Sequence, residues 1–209
     1  MGFENAYFIT GTAYAGKSTL VRLLAEKHGG VLCGENYHDA LLPSLRPEEF
    51  PCLCYTRDLR DWHDFIRRSP EDYEAWYDGV SRECETLELR MLPGLCARGK
   101  PVFVDTNISL ETLKALAPTG HVLVMLAEPA ISVSRFFDRP DRDKQFLYRL
   151  ILEEPDPDRA MENYRQGLMR INSRARYERF LDAGFPVLLR DERRSPEQTL
   201  TLAEQLFGL

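Results

Sequence analysis

The sequence predicts an α/β fold in three layers, with helices on both faces of a mostly parallel five-stranded sheet. Three observations lead there. Short apolar runs alternate with longer helix-period segments along the whole chain. Several of those runs are continuously apolar, as strands covered on both faces are. One run leads directly into a glycine-bracketed loop that opens an amphipathic helix.

The elements follow in order. Tyr7-Phe8-Ile9-Thr10 is the first strand. A helix over residues 18–28 places Leu20, Leu23, Leu24 and roughly Lys27 on one face, and Gly29-Gly30 ends it. Val31-Leu32-Cys33 is a short second strand. Arg98-Gly99-Lys100-Pro101 turns the chain into the third, Val102-Phe103-Val104-Asp105. A helix over 110–117 precedes the fourth, residues 122–126, and Pro186-Val187-Leu188-Leu189 is the fifth. The last helix runs from Pro196 to Phe207, with Ser195 at its N-cap and Gln198 completing a capping box.

Two stretches interrupt this alternation. Residues 35–98 form a long, aromatic, mainly helical insertion, and residues 128–180 an arginine-rich helical section. If the strands are parallel, both emerge at the carboxyl edge of the sheet, where ligands bind in open α/β folds. No linker rich in Gly, Ser or Pro divides the chain, so residues 1–209 are expected to form one domain.

Composition limits the function. A formal charge of -6 argues against nucleic acid or an anionic membrane surface as a general partner. No apolar run reaches the length of a membrane span, and the N-terminal residues do not read as a signal peptide. The five cysteines (Cys33, Cys52, Cys54, Cys84 and Cys96) contain no CxxC pair. They read as reduced thiols of a cytoplasmic protein, with Cys52-Leu-Cys54 the closest approach to a metal-ligand pair.

Gly11-Thr12-Ala13-Tyr14-Ala15-Gly16-Lys17-Ser18 matches GxxxxGK[ST] in full, between a strand and a helix as the motif requires. In such a loop, successive backbone N–H groups converge on a phosphate and the following helix adds its positive end. The expected nucleotide-binding residues are Gly11, Thr12, Ala13, Tyr14, Ala15, Gly16, Lys17, Ser18 and Thr19. Lys17 would reach the β- and γ-phosphates, and the Ser18 hydroxyl would ligate Mg²⁺. Asp105 closes the third strand in the manner of a Walker B acid and is the second expected metal residue.

The order of pieces resembles the nucleoside-monophosphate-kinase-like group of P-loop kinases, which includes shikimate, gluconate, adenylylsulfate and chloramphenicol-modifying kinases. The resemblance spans nearly the whole chain in element order and is residue-specific only at the P-loop. It implies an ATP- and Mg²⁺-dependent kinase whose acceptor is a small molecule. In that group an acid just after the second strand meets the acceptor hydroxyl. Gly34-Glu35 stands there, with Glu in place of the usual Asp. Glu35 is therefore the leading candidate base and Asp39 the second, with His38 a possible substitute.

The resemblance also implies lid arginines after the fourth strand. Arg135 and Arg139, four apart, would share one helical face and clamp the transferring phosphoryl group. Arg170 and Arg174 are further candidates, and Arg190-Asp191-Glu192 is a candidate contact for the adenine. In the first insertion Tyr37, Tyr55, Trp62, Phe65, Tyr73, Trp76 and Tyr77 are interleaved with arginines, and each aromatic reads first as helical core and second as an acceptor contact. Two other functions compete. A GTPase switch would need an NKxD-type segment, which is missing. A regulatory or partner-binding module that binds nucleotide without phosphotransfer is the remaining alternative.

Overall fold

A computed structural model of the chain describes residues 3–138 and 142–209. Five strands form one sheet: β1 (Ala6–Gly11), β2 (Val31–Cys33), β3 (Val102–Asp105), β4 (Val122–Leu126) and β5 (Val187–Leu189). Their order across the sheet is β2-β3-β1-β4-β5, and every pairing is parallel. The sheet is thus wholly parallel, a step beyond the mostly parallel one expected. Strand bounds agree with the sequence reading to within two residues.

The period-2 alternation of side chains builds two cores from the same strands. Ile9, Phe103, Leu123 and Met125 point to one face, against α1 (Lys17–His28) and α10 (Pro196–Phe207). Ala6, Phe8, Val102, Val104 and Val122 point to the other, against Leu92 of α4 (Pro70–Cys96) and Leu113 of α5 (Leu110–Leu116). Phe8 and Phe103 are almost wholly buried on opposite faces. Each contributes about 2–3 kcal/mol relative to an exposed ring.

The buried stripe of α1 is Leu20, Val21, Leu24 and Ala25 rather than the stripe through Leu23 and Lys27. Lys27 points outward and pairs with Glu204 of α10 at 2.8 Å. The helix is rotated so that the small Ala25, not a lysine stem, meets the sheet. At the far end of the chain the capping box forms: Ser195 Oγ accepts from Gln198 N–H at 3.2 Å, and Gln198 Oε1 accepts from Ser195 N–H at 2.9 Å.

The two insertions fold together. The first contains a 3₁₀ segment (Tyr37–Ser44), α2 (Pro51–Asp58), α3 (His63–Ile66) and α4. The second contains α6 (Pro129–Ser134), a 3₁₀ turn (Phe136–Asp138), α7 (Arg142–Glu153), α8 (Pro157–Ile171) and α9 (Arg174–Leu181). Phe65 and Tyr73 from the first pack with Leu150, Ile151, Tyr164 and Leu168 from the second, with Trp62 and Trp76 at the edge of the cluster. Core is therefore the role of most of these aromatics. Tyr77 is the exception, being partly exposed and facing a cleft. No helix among the described residues is long and apolar enough to cross a membrane.

Candidate functional site

The site is built from the carboxyl ends of the central strands. Register places Gly11 beside Met125 and Ile9 beside Asp105, so the loop after β1 and the acid ending β3 leave the sheet together. Thr106 N–H bonds Ile9 O at 3.0 Å, and Thr12 N–H bonds Met125 O at 3.0 Å. The Thr12 hydroxyl exchanges hydrogen bonds with Ala127, accepting from its N–H at 2.7 Å. The start of the loop is thus fixed to the neighbouring strands on both sides.

Two glycines shape the rest. Gly11 has φ of 127°, and a Cβ there would lie 1.9 Å from Met125 O. Gly16 caps α1 in the left-handed region, with φ of 94°. Both conformations are ones that L side chains rarely adopt. Tyr14 is the only non-glycine residue with positive φ, at 64°, among the described residues. Its carbonyl accepts from Arg190, and its phenol donates to the carbonyl of Arg135. Neighbouring loops thereby hold the turn that its backbone makes.

Lys17 turns back over the loop, its Nζ 3.2 Å from Thr12 O and 3.8 Å from Asp105 Oδ1. Ser18 Oγ donates to Asp105 Oδ2 at 2.8 Å. Asp105 is almost fully buried. Burial pushes its carboxyl above the usual range, Lys17 and Ser18 oppose that shift, and the charge of Glu35 adds to it. A hydroxyl and a carboxylate in contact are hard oxygen donors and suit Mg²⁺. Among the described residues no group of three or more His, Cys, Asp and Glu side chains is placed to hold a metal.

Two clefts flank this loop. Residues 14–16 wall one of about 700 Å³, together with Leu188, Arg190 and Glu192 at the end of β5. Residues 11–13 wall another of about 470 Å³, closed by Tyr77 and Ser81 of α4, residues 106–109, and Arg176, Tyr177, Arg179 and Phe180 of α9. The second cleft draws walls from both insertions. The first holds the expected segment 190–192.

The acids after β2 separate. Glu35 is exposed, and its charge is felt both at Asp105 and at Tyr77, which lines the smaller cleft. Asp39 lies further along and half-exposed. Burial raises its carboxyl, His38 opposes this, and Asp143 of α7 reinforces it. His38 cannot serve as an acceptor-facing base. It is 1% exposed, with Nε2 3.1 Å from Cys84 Sγ, and burial lowers its affinity for a proton.

The arginines differ most from expectation. The single helix proposed through Arg135 is broken: α6 ends at Ser134, and Arg135 is its C-cap. Arg139 lies outside the described residues. Arg135 lines the larger cleft and pairs with Glu192 at 3.0 Å. Its side chain lines the larger cleft and not the smaller one. Arg170 pairs with Glu71 and Glu74, and Arg174 with Glu178 at 3.0 Å, so both belong to surface networks.

Glu88 was not singled out by the sequence. It is fully buried on α4, where its Oε1 accepts from Asn107 N–H and Nδ2, both at 3.0 Å. Oε2 accepts from the Thr106 hydroxyl at 2.6 Å. Burial raises its carboxyl to about 7 against the hydrogen bonds from Thr106 and Asn107. The signal lay in the helical spacing: Cys84, Glu88 and Leu92 fall four apart on one buried stripe. A carboxyl on such a stripe needs partners.

Compared with protein-family models and with curated proteins, the sequence matches none. The fold itself is an α/β sheet of order 2-3-1-4-5, which is consistent with the topology of P-loop nucleotide-binding proteins.

Proposed function

We propose that this protein is an ATP-dependent kinase that transfers the γ-phosphoryl group to a small-molecule acceptor. The observation that carries the proposal is the contact of Ser18 with Asp105 at 2.8 Å beneath a loop from which Lys17 projects. That arrangement joins a phosphate cradle to a pair of metal-binding oxygens. The larger cleft suits the nucleoside of ATP, with Arg190 and Glu192 at its rim and Arg135 among its lining residues.

The residues divide the work as follows. Backbone N–H groups of residues 13–17 and the N-terminus of α1 bind the β-phosphate. Lys17 is positioned to follow the γ-phosphoryl group as its charge spreads. Ser18 and Asp105 would hold Mg²⁺, which supplies neutralisation of the phosphate oxygens when bound. Glu35 accepts the proton of the acceptor hydroxyl as its oxygen attacks the γ-phosphorus. The bond from that phosphorus to the β–γ bridging oxygen breaks, and ADP leaves with the bonding pair. Asp39 is the second candidate for the proton.

The test is ATP binding and acceptor-dependent ADP release in the parent, in Lys17→Ala and in Ser18→Ala. The expected result is loss of turnover by at least about 1,000-fold in the first. In the second, the Mg²⁺ requirement shifts to higher concentration. Equal turnover in Lys17→Ala and parent would contradict the proposal. A nucleotide-binding module without phosphotransfer would bind ATP in a Lys17-dependent way and release no ADP with any acceptor.

A further inference from the structure

We infer that the acceptor taken by the smaller cleft is a neutral, hydroxyl-bearing molecule read by the side-chain oxygen of Asn107, and not a phosphate ester. The inference rests on the kinase reading and specifies its second substrate. Its support comes from which polar groups of the cleft are already satisfied.

The arginines of α9 are the natural anchors for an acceptor phosphate, and they are engaged. Arg176 makes a fork to Asp78 at 2.7 and 2.8 Å and adds Glu74 at 3.1 Å. Arg179 places one nitrogen on both oxygens of Glu111, at 3.0 and 2.9 Å. Turning Arg176 towards a ligand phosphate would break its two-bond fork to the half-buried Asp78, while Glu74 would keep Arg170. Arg82, on the exposed rim, is the one cleft arginine without a carboxylate partner among the described residues. A lone exposed guanidinium is screened and gives little selectivity.

Asn107 is held the opposite way, with one atom left over. Both its backbone N–H and its Nδ2 donate to Oε1 of Glu88. Oε1 already accepts the backbone N–H, and a proton on this carboxyl would sit on Oε2 beside Thr106, so the amide is turned with its Nδ2 facing Oε1. The Oδ1 oxygen is then the free end, and Asn107 lines the cleft. Its neighbours are fixed too: Ile108 N–H bonds Thr106 Oγ1 at 3.0 Å, and Ser109 Oγ donates to Glu85 at 2.9 Å. A pre-oriented acceptor atom on a braced loop recognises a donor, such as a hydroxyl. The ring of Tyr77 and the side chain of Phe180 offer the apolar wall on which the rest of such a molecule would lie. A cleft of about 470 Å³ suits a molecule of nucleoside size.

The test uses matched pairs: adenosine and adenosine 5′-monophosphate, thymidine and thymidine 5′-monophosphate, and neutral hexoses and aminoalcohols with their phosphate esters. ADP release with Mg²⁺-ATP is measured for each, and binding of each is measured calorimetrically beside a non-hydrolysable ATP analogue. The neutral members should be preferred by at least about tenfold in kcat/KM. Asn107→Leu should raise KM for the best of them by about tenfold while KM for ATP stays within twofold. Should Asn107→Leu not fold, Asn107→Ala removes the same oxygen without added volume. Preference for the esters, no change of KM in the Asn107 variants, or binding of neither set would each overturn the inference. Lys17-dependent ATP binding, read in the same titrations, separates the two claims. If it persists while esters are preferred, only the acceptor class is wrong, whereas its absence removes the kinase reading itself.

Discussion

Glu88→Gln turns the buried carboxyl on α4 into a group that stays neutral at every pH. Glu88 is fully buried, and its carboxyl is raised from an ordinary 4.5 to about 7. The folded state therefore holds a proton that the unfolded chain gives up. The sign follows: this group favours folding most below pH 4.5, and that contribution falls as pH rises towards 7. Across the full interval the loss is about 3 kcal/mol, and between pH 5 and pH 8 about 2.5 kcal/mol. Gln keeps the Asn107 bonds, since its oxygen still accepts both, and reverses the Thr106 bond, its amide donating to the hydroxyl that donated to Glu88. The ionisable groups nearest Glu88 are Asp105, Cys33, Tyr37 and Cys84, and the variant retains all of them. The assay is urea unfolding of parent and variant at pH 5, 6, 7 and 8. The stability of Glu88→Gln relative to the parent should grow by about 2.5 kcal/mol over that range. A difference that stays constant within about 0.5 kcal/mol would refute the claim that the fold holds this carboxyl neutral.

Other consequences are as direct. Gly11→Ala sets a methyl group against Met125 O in a backbone region closed to alanine, so it should cost about 3 kcal/mol or more, read by urea unfolding. Glu35→Gln should lower kcat by about 100-fold or more with ATP affinity unchanged, while Asp39→Asn should do far less. A large loss of ATP affinity in Glu35→Gln would instead place Glu35 at the metal. Arg135→Ala, whose partner Glu192 is also exposed, should raise KM for ATP several-fold and leave kcat nearly as it was.

The sequence disclosed most about segments whose chemistry is local. The loop of residues 11–18 is readable because its glycines, lysine and serine stand at the fixed spacing of GxxxxGK[ST], and the strand before it is a continuous apolar run. The capping box of α10 is readable for the same reason. Long-range placement was not. Nothing local says that β3 separates β1 from β2, although the form of the third strand already grouped Asp105 with Ser18, and the two side chains do meet. Arg135 and Arg139 were expected to share one helical face, but α6 ends at Ser134, and the carbonyl of its C-cap Arg135 accepts from the Tyr14 phenol. His38 read as a titrating loop residue, whereas tertiary packing against Cys84 buried it. The two clefts arise where insertions distant in sequence meet, so neither leaves a pattern in any one segment. Glu88 is the instructive omission: its place on a stripe with Cys84 and Leu92 marks a buried acid, and only the fold identifies its partners.

The central claim is phosphoryl transfer at the loop of residues 11–18. It is tested most directly by following the label of [γ-³²P]ATP with the parent and Lys17→Ala in the presence of Mg²⁺ and the acceptor panel. The account predicts label covalently attached to one acceptor class in the parent and none with Lys17→Ala. Label released only as inorganic phosphate, or transfer that survives the loss of Lys17, would contradict it.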